Sequence, residues 1–178
     1  METVTTTRNP DGTINCAAMG VEWGEAEIVI KPFAGTRTLR NLRATGAAVV
    51  NLTDDILLFA QAALGDPRPP IRPAGAVDGA VLADACSWRE VEVAAIEAGG
   101  PRARVVTRVV GHGRGREFVG FNRACHAVLE ASILASRVRR LPPEEVRAEL
   151  ARLTVLVDKT AGPREREAMD YVRAAIAG

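Results

Sequence analysis

The sequence predicts a mainly β fold with added α-helix, in which a small barrel spanning residues 1–120 is followed by a small C-terminal helical subdomain over residues 121–178. Three observations point there. Short segments rich in Val, Thr and Ile alternate with Pro, Gly and Asn turn signals over the first two thirds of the chain. Beyond Asn122 the apolar spacing changes to that of helices. Aromatic residues make up only 4% of the chain, so Val, Ala, Leu and Ile must build its core.

Each element follows in order. Glu2 to Thr7 reads as a strand, and Asn9-Pro10-Asp11-Gly12 as a tight turn. Ile14 to Trp23 is a second strand closed by Gly24, and Ala26 to Ile30 a third, ended by Pro32. Thr36 to Thr45 reads as a short helix, capped by Thr36 or Thr38 and left through Gly46. Ala47 to Leu52 is a short, apolar strand, as a fully buried strand would be, and Asp54 or Asp55 caps a helix running to Leu64. Gly65 to Gly79, with Pro67, Pro69, Pro70 and Pro73, is expected to be an irregular loop. Ala85 to Ile96 and Arg102 to His112 read as a long hairpin turning at Gly99-Gly100-Pro101, with Ala103, Val105, Thr107 and Val109 on one face. That makes about six strands, the size of a small closed barrel.

In the tail, Asn122 caps a helix whose Ala124, Ala127, Ala131 and Ala135 permit close helix contact. Pro143 starts another, with Glu144 and Glu145 in its favourable first turn and Val146, Leu150, Leu153 and Val157 as its apolar stripe. Gly162-Pro163 breaks it and opens a last helix through Met169, Val172 and Ile176.

Charge excludes one class of partner. The chain carries 23 basic and 22 acidic side chains, a net charge of +1, with no concentrated basic field of the kind nucleic acid requires. The 21 arginines against two lysines reflect genome composition rather than function. Met1 to Thr7 lacks the basic start and apolar run of a signal peptide, and no apolar stretch is long enough to span a membrane. Cys16, Cys86 and Cys125, odd in number and without CxxC spacing, suit reduced thiols in a cytoplasmic protein.

Two segments are chemically suggestive. In Lys31 to Leu52, Gly35 precedes Thr36-Arg37-Thr38 at a helix start, where open backbone N–H groups, hydroxyls and the guanidinium groups of Arg37 and Arg40 suit a phosphate. The plain alternative is N-capping beside surface arginines. In Asn15 to Gly20, small residues in a strand let a flat ligand approach the backbone; the plain alternative is a strand crowded against a helix. No metal site is expected, because His112 and His126 are the only histidines and no HxxxH, HExxH or CxxC spacing exists. His112, among Gly111, Gly113 and Gly115, is expected in an exposed turn, and GHGRG does not have dinucleotide-fingerprint spacing. Trp88 either stacks on a ligand ring or fills the core. No catalytic residue stands out.

Three runs carry a resemblance: ETVTTT with PDGTINCAAMGV, then GTRTLRNLRATGAAVVNLTDD, then FNRACHAVLEASILASR. Together they resemble the DUF447 family of the FMN-binding split-barrel superfamily, which includes flavin reductases and pyridoxamine-phosphate oxidases. The resemblance covers almost the whole chain and implies an FMN-binding split β-barrel followed by a small C-terminal helical subdomain. It further implies that Thr36, Arg37 and Thr38 hold the FMN phosphate, that Asn15, Ala17 and Met19 line the isoalloxazine, and that Asn51 lies near the ring or ribityl chain. Asn122 and Arg123 would reach the site or its rim, with Lys159 a further candidate. Cys16 departs from the small apolar residue or Ser expected there.

The function implied is a flavin-dependent oxidoreductase acting on a small molecule, with a link to methanopterin-dependent one-carbon metabolism drawn only from the company the family keeps. The cofactor is FMN, and the assembly a homodimer with flavin at its interface. The alternative is a non-enzymatic flavin carrier or redox sensor. A barrel holding heme, a deazaflavin or nothing is a third class.

Overall fold

Residues 1–97 and 99–178 are described by the computed structural model, and among them the strands and helices fall into two units: Met1–Thr53 with Arg68–Phe118, and Asp54–Pro67 with Val119–Gly178. In the first, the expected barrel is present. Strands β1 (Glu2–Arg8), β2 (Ile14–Trp23), β3 (Glu27–Ile30), β8 (Arg104–Arg114), β7 (Ser87–Glu97) and β4 (Ala47–Leu52) close in that order, every pair antiparallel. The turn between β1 and β2 forms where Asn9 to Gly12 demands it: Gly12 takes φ 83° and the Asn9 N–H donates to Thr13 O at 2.8 Å.

Register decides which side chains enter the barrel. Thr5 lies opposite Ala17 on one side and Val50 on the other, and directly opposed residues share a face. The inward face therefore carries Thr3, Thr5 and Thr7 of β1, Asn15, Ala17, Met19 and Val21 of β2, and Ala48 and Val50 of β4. The core itself joins Val21, Ile28, Ile30, Ala48, Val50, Val91, Ala103 and Val105 with Leu39 and Leu42 of helix α1 (Arg37–Thr45). Ala103, just before β8, and Val105 and Thr107 within it are buried as the alternation predicts, while Arg108 is exposed. Helix α1 ends at Gly46, whose φ of 68° is one that only glycine adopts without strain and whose N–H closes on Leu42 O.

The outer face of β1 and β4 is also covered, and here the sequence expectation needs correction. Gly65 to Gly79 is not wholly irregular: β5 (Ile71–Pro73) pairs with β6 (Ala80–Leu82). A three-residue strand containing proline gives no periodic signal, and its exposed edge needs no N–H from Pro73. The pair is fastened to the barrel by Thr6 Oγ1, which donates to Ala80 O, and by Asn51 Oδ1, which accepts the Leu82 N–H at 3.0 Å. A second correction concerns His112. It is exposed as expected, but it lies within β8, paired with Arg89, rather than in a turn, because β8 runs through the glycines to Arg114. Gly113 fits there because the Trp88 ring lies across it, leaving no room for a side chain.

In the second unit, α3 (Arg123–Ala135) buries Ala124, Ala127, Ala131 and Ala135 and packs against α2 (Ile56–Leu64), α4 (Pro143–Thr160) and α5 (Pro163–Ala177). Asn122 caps α3, and Val146, Leu153 and Val157 form the buried stripe of α4. A short 3₁₀ turn, Val138–Arg140, which the sequence does not announce, links α3 to α4. The division at residues 120 and 121 is interrupted by α2, which belongs with the helices. Its Ile56, Leu57, Leu58, Phe59, Ala60 and Ala62 are all buried, and a helix whose only polar residue is Gln61 needs cover on most of its surface. No described helix is long and apolar enough to cross a membrane.

Candidate functional site

The turn from β3 into α1 is the most chemically distinctive part of the barrel unit. Gly35 takes φ 79° and lets the chain reverse into the helix. Thr36 then serves as N-cap, with its hydroxyl donating to Phe33 O at 2.8 Å and accepting the Leu39 N–H at 3.4 Å. Arg37 and Thr38 then occupy the first turn of the helix. Arg37 is exposed, and Arg40 folds back to donate to Gly35 O at 2.6 Å.

The charges at this turn run against helix stability. The first turn of α1 contains no acidic residue, although the positive end of a helix favours carboxylates by about 0.3–1 kcal/mol. Among the helices, α4 and α5 carry Glu144, Glu145 and Glu165 in their first turns, whereas α2 and α3, like α1, carry none. Nearby, the Arg102 guanidinium lies 4.0 Å over the Phe33 ring. Lys31 pairs with Glu22 and holds that exposed carboxyl below its usual range.

Asn15, Thr36, Arg37 and Thr38 are brought together here: the Asn15 amide donates to Thr38 Oγ1 at 3.2 Å across the barrel mouth. Ala17 and Met19 continue along the same face of β2 and are half-buried. Asn51 sits elsewhere. On the outer face of β4 it is wholly buried, its amide donating to Val4 O and Val49 O at 3.0 and 3.2 Å, so its polar atoms serve the fold. Asn122, Arg123 and Lys159 belong to the helical unit, where Asn122 Oδ1 accepts the Ala124 N–H at 2.8 Å and the other two are exposed. Trp88 is buried, with its ring face under Arg72 at 4.2 Å and its N–H on Glu90, which places it in the scaffold.

Sequence reasoning missed Glu90. It is 5% exposed, and its carboxylate gathers N–H groups from Gly75, Ala76, Val77 and Trp88. Burial pushes its pKa up, but these donors together outweigh burial and leave it below the usual range. An acidic residue inside a strand was the available signal. Among the described residues, no three His, Cys, Asp or Glu side chains group as metal ligands do.

An aromatic cofactor with a phosphate tail fits the residues at the α1 turn. The first-turn position of Arg37 and Thr38, the Thr36 cap and the exposed Arg37 side chain suit a phosphate monoester, and no acidic side chain of that turn opposes it.

Residues 1–114 match the N-terminal model of a family described as a protein of unknown function, DUF447, and residues 122–174 match its second model. Among solved structures, an FMN-bound protein from Methanosarcina mazei carrying the same family model is 23% identical, with a TM-score of 0.83 over 98% of this chain and 93% of that one. The flavin reductase of styrene monooxygenase from Pseudomonas putida S12 is 17% identical, with a TM-score of 0.57 over 65% of this chain and 80% of that one. The 2-nitrobenzoate 2-nitroreductase of Pseudomonas fluorescens is 19% identical, with a TM-score of 0.55 over 64% of each chain. At these identities the likeness is one of fold: the barrel is the split barrel shared by FMN-binding proteins.

Proposed function

Since the chain belongs to the DUF447 family, we propose that it binds FMN at the α1 turn and works as an oxidoreductase on a small molecule. The observation that carries the reading is the start of α1, where the turn at Gly35, the Thr36 cap and the exposed Arg37 meet beside the Asn15 side chain of β2, which bonds Thr38. The FMN bound by the Methanosarcina mazei protein of the same family model supports the choice of cofactor. FMN, when bound, supplies redox chemistry that no side chain offers.

This chain's own residues bind and orient. Arg37 and the first-turn amides hold the phosphate, and Ala17 and Met19 provide a flat, half-buried stretch of β2 for the ring. None of the proposed binding residues is an acid or a base that titrates near neutrality, which favours electron exchange over hydrolysis. The reading extends to a homodimer in the cytoplasm with flavin at its interface. It extends also to a pterin-type one-carbon carrier as substrate, on the strength of the family's company alone.

The test is to purify the protein without added cofactor, record its absorption from 300 to 600 nm, and identify any released chromophore by mass. Flavin bands, roughly near 375 and 450 nm, with the mass of FMN are expected, together with bleaching by NADH or NADPH. A colourless protein that also fails to take up added FMN overturns the cofactor. Bound flavin that no nicotinamide donor reduces turns the reading to a carrier or sensor.

A further inference from the structure

Thr7 is the centre of a buried polar network at the barrel mouth. Its hydroxyl accepts from Asn15 Nδ2 at 3.2 Å and from Asn41 Nδ2 at 3.0 Å. The Asn15 nitrogen also reaches Thr38 Oγ1 at 3.2 Å, and the Asn41 nitrogen reaches Asn9 Oδ1 at 2.8 Å. None of the five side chains is more than 9% exposed. The chain thus places a hydrogen-bonded chain of five polar groups where apolar residues would have filled the same space.

Thr38 and Asn41, three residues apart, lie on one face of α1, beside the buried Leu39 and Leu42. Leucines alone would hold the helix against the barrel, but apolar contact is non-directional and tolerates a helix that slides or rolls. Hydrogen bonds weaken steeply with distance and angle, so the bonds from Asn41 to Thr7 and Asn9 and from Asn15 to Thr38 set both the roll and the axial position of α1 against β1 and β2. A buried network that is satisfied in one arrangement is costly in any other. The end of the helix so fixed is the end that presents the Arg37 and Thr38 amides.

Resting on the FMN reading, we infer that Thr7 and Asn41 are positioning residues for the phosphate of the flavin. They do not touch the ligand. They hold the first turn of α1 at one place, and in doing so set the preference of the site for a phosphorylated flavin over riboflavin, which lacks the phosphate.

The experiment compares the full chain with Thr7→Val, Thr7→Ser and Asn41→Ser, measuring dissociation constants for FMN and riboflavin by flavin fluorescence and folding by circular dichroism. Valine nearly matches threonine in shape and removes the acceptor; serine retains it. The preference for FMN is expected to fall by at least about tenfold in Thr7→Val and Asn41→Ser and to survive in Thr7→Ser, since one charge-assisted contact set out of place is worth at least that. An unchanged preference in either folded variant overturns the inference, as does a loss in Thr7→Ser equal to that in Thr7→Val. A wild-type chain that binds neither flavin overturns the cofactor reading and this inference with it. A wild-type chain that prefers FMN, with variants that keep that preference, overturns only the inference.

Discussion

Trp88 donates its indole N–H to the buried carboxylate of Glu90 at 3.2 Å, and the same carboxylate fastens the loop at Gly75 to Val77 through backbone amides. One side chain of β7 thereby holds both the ring beside it and the segment that passes over the barrel wall.

This latch is acid-sensitive. The native Glu90 carboxyl binds its proton less tightly than the usual carboxylate, so the unfolded chain takes up more protons as pH falls. Its stabilisation is complete above the ordinary carboxylate range and is lost progressively as pH drops through that range toward the lowered native pKa. Glu90→Gln is expected to cost about 1–3 kcal/mol at neutral pH, because donors are left without a charged acceptor. It is also expected to flatten the acid limb of a melting-temperature profile between about pH 7 and 3. An acid limb as steep as wild type would show that another group carries it.

Gly113→Ala tests the packing of the same region. A Cβ there would lie 2.1 Å from Trp88 Cζ2, so the rigid ring must move. The expected cost is about 1–3 kcal/mol in thermal unfolding, with a changed near-ultraviolet tryptophan signal. Combining the change with Trp88→Leu is expected to cost less than the sum of the two, since the clash is then relieved. Additive losses would contradict the contact.

Cys125 is expected to be a slow nucleophile. Its Sγ lies 3.5 Å from Glu165 Oε1, and burial, followed by the negative charges of Glu165, Asp54 and Asp55, pushes its pKa up to about 12. At pH 8 its alkylation by iodoacetamide, followed by mass spectrometry, is expected to run at least about tenfold slower than that of an unperturbed thiol. Glu165→Gln is expected to speed it. Ordinary reactivity in the native protein would remove the case for a protonated thiol.

Asp55 and Arg164 separate two effects that share an atom group. Asp55 caps α2 by accepting the Leu58 N–H at 3.1 Å and pairs with Arg164 at 2.7 Å. Loss of the cap in Asp55→Ala is expected to cost about 1 kcal/mol. The ion pair is discounted because the Arg164 side chain is 56% exposed, so Arg164→Ala is expected to cost less than about 0.5 kcal/mol. Equal losses in thermal melts would mean that the pair, not the cap, holds the start of α2.

Much of this was legible in the chain. The alternation of β8, the caps at Thr36 and Asn122, the glycine exit of α1 and the alanine stripe of α3 each follow from local rules and recur in the structure. The resemblance in GTRTLRNLRATGAAVVNLTDD led to the fold and to the turn now proposed for the phosphate. Less legible were the β5–β6 pair, the strand character of His112, the place of α2 among the helices and the roles of Glu90 and Asn51. Each depends on a partner distant in sequence: Asn51 meets Leu82, and Glu90 meets Gly75 to Val77.

The sequence by itself determined which segments extend, which coil, where they end, and that a helix start rich in arginine and poor in acid follows β3. Those properties reside in neighbours a few residues apart, through dihedral preference, capping and periodicity. Only the tertiary structure decided that Thr7, Asn15 and Asn41 meet and that Asn51 is committed to the backbone of Val4 and Leu82. Only it decided that a carboxylate inside β7 holds a loop. Barrel closure sets register, register sets which face each side chain takes, and a buried polar group must then find its partner wherever closure has brought one.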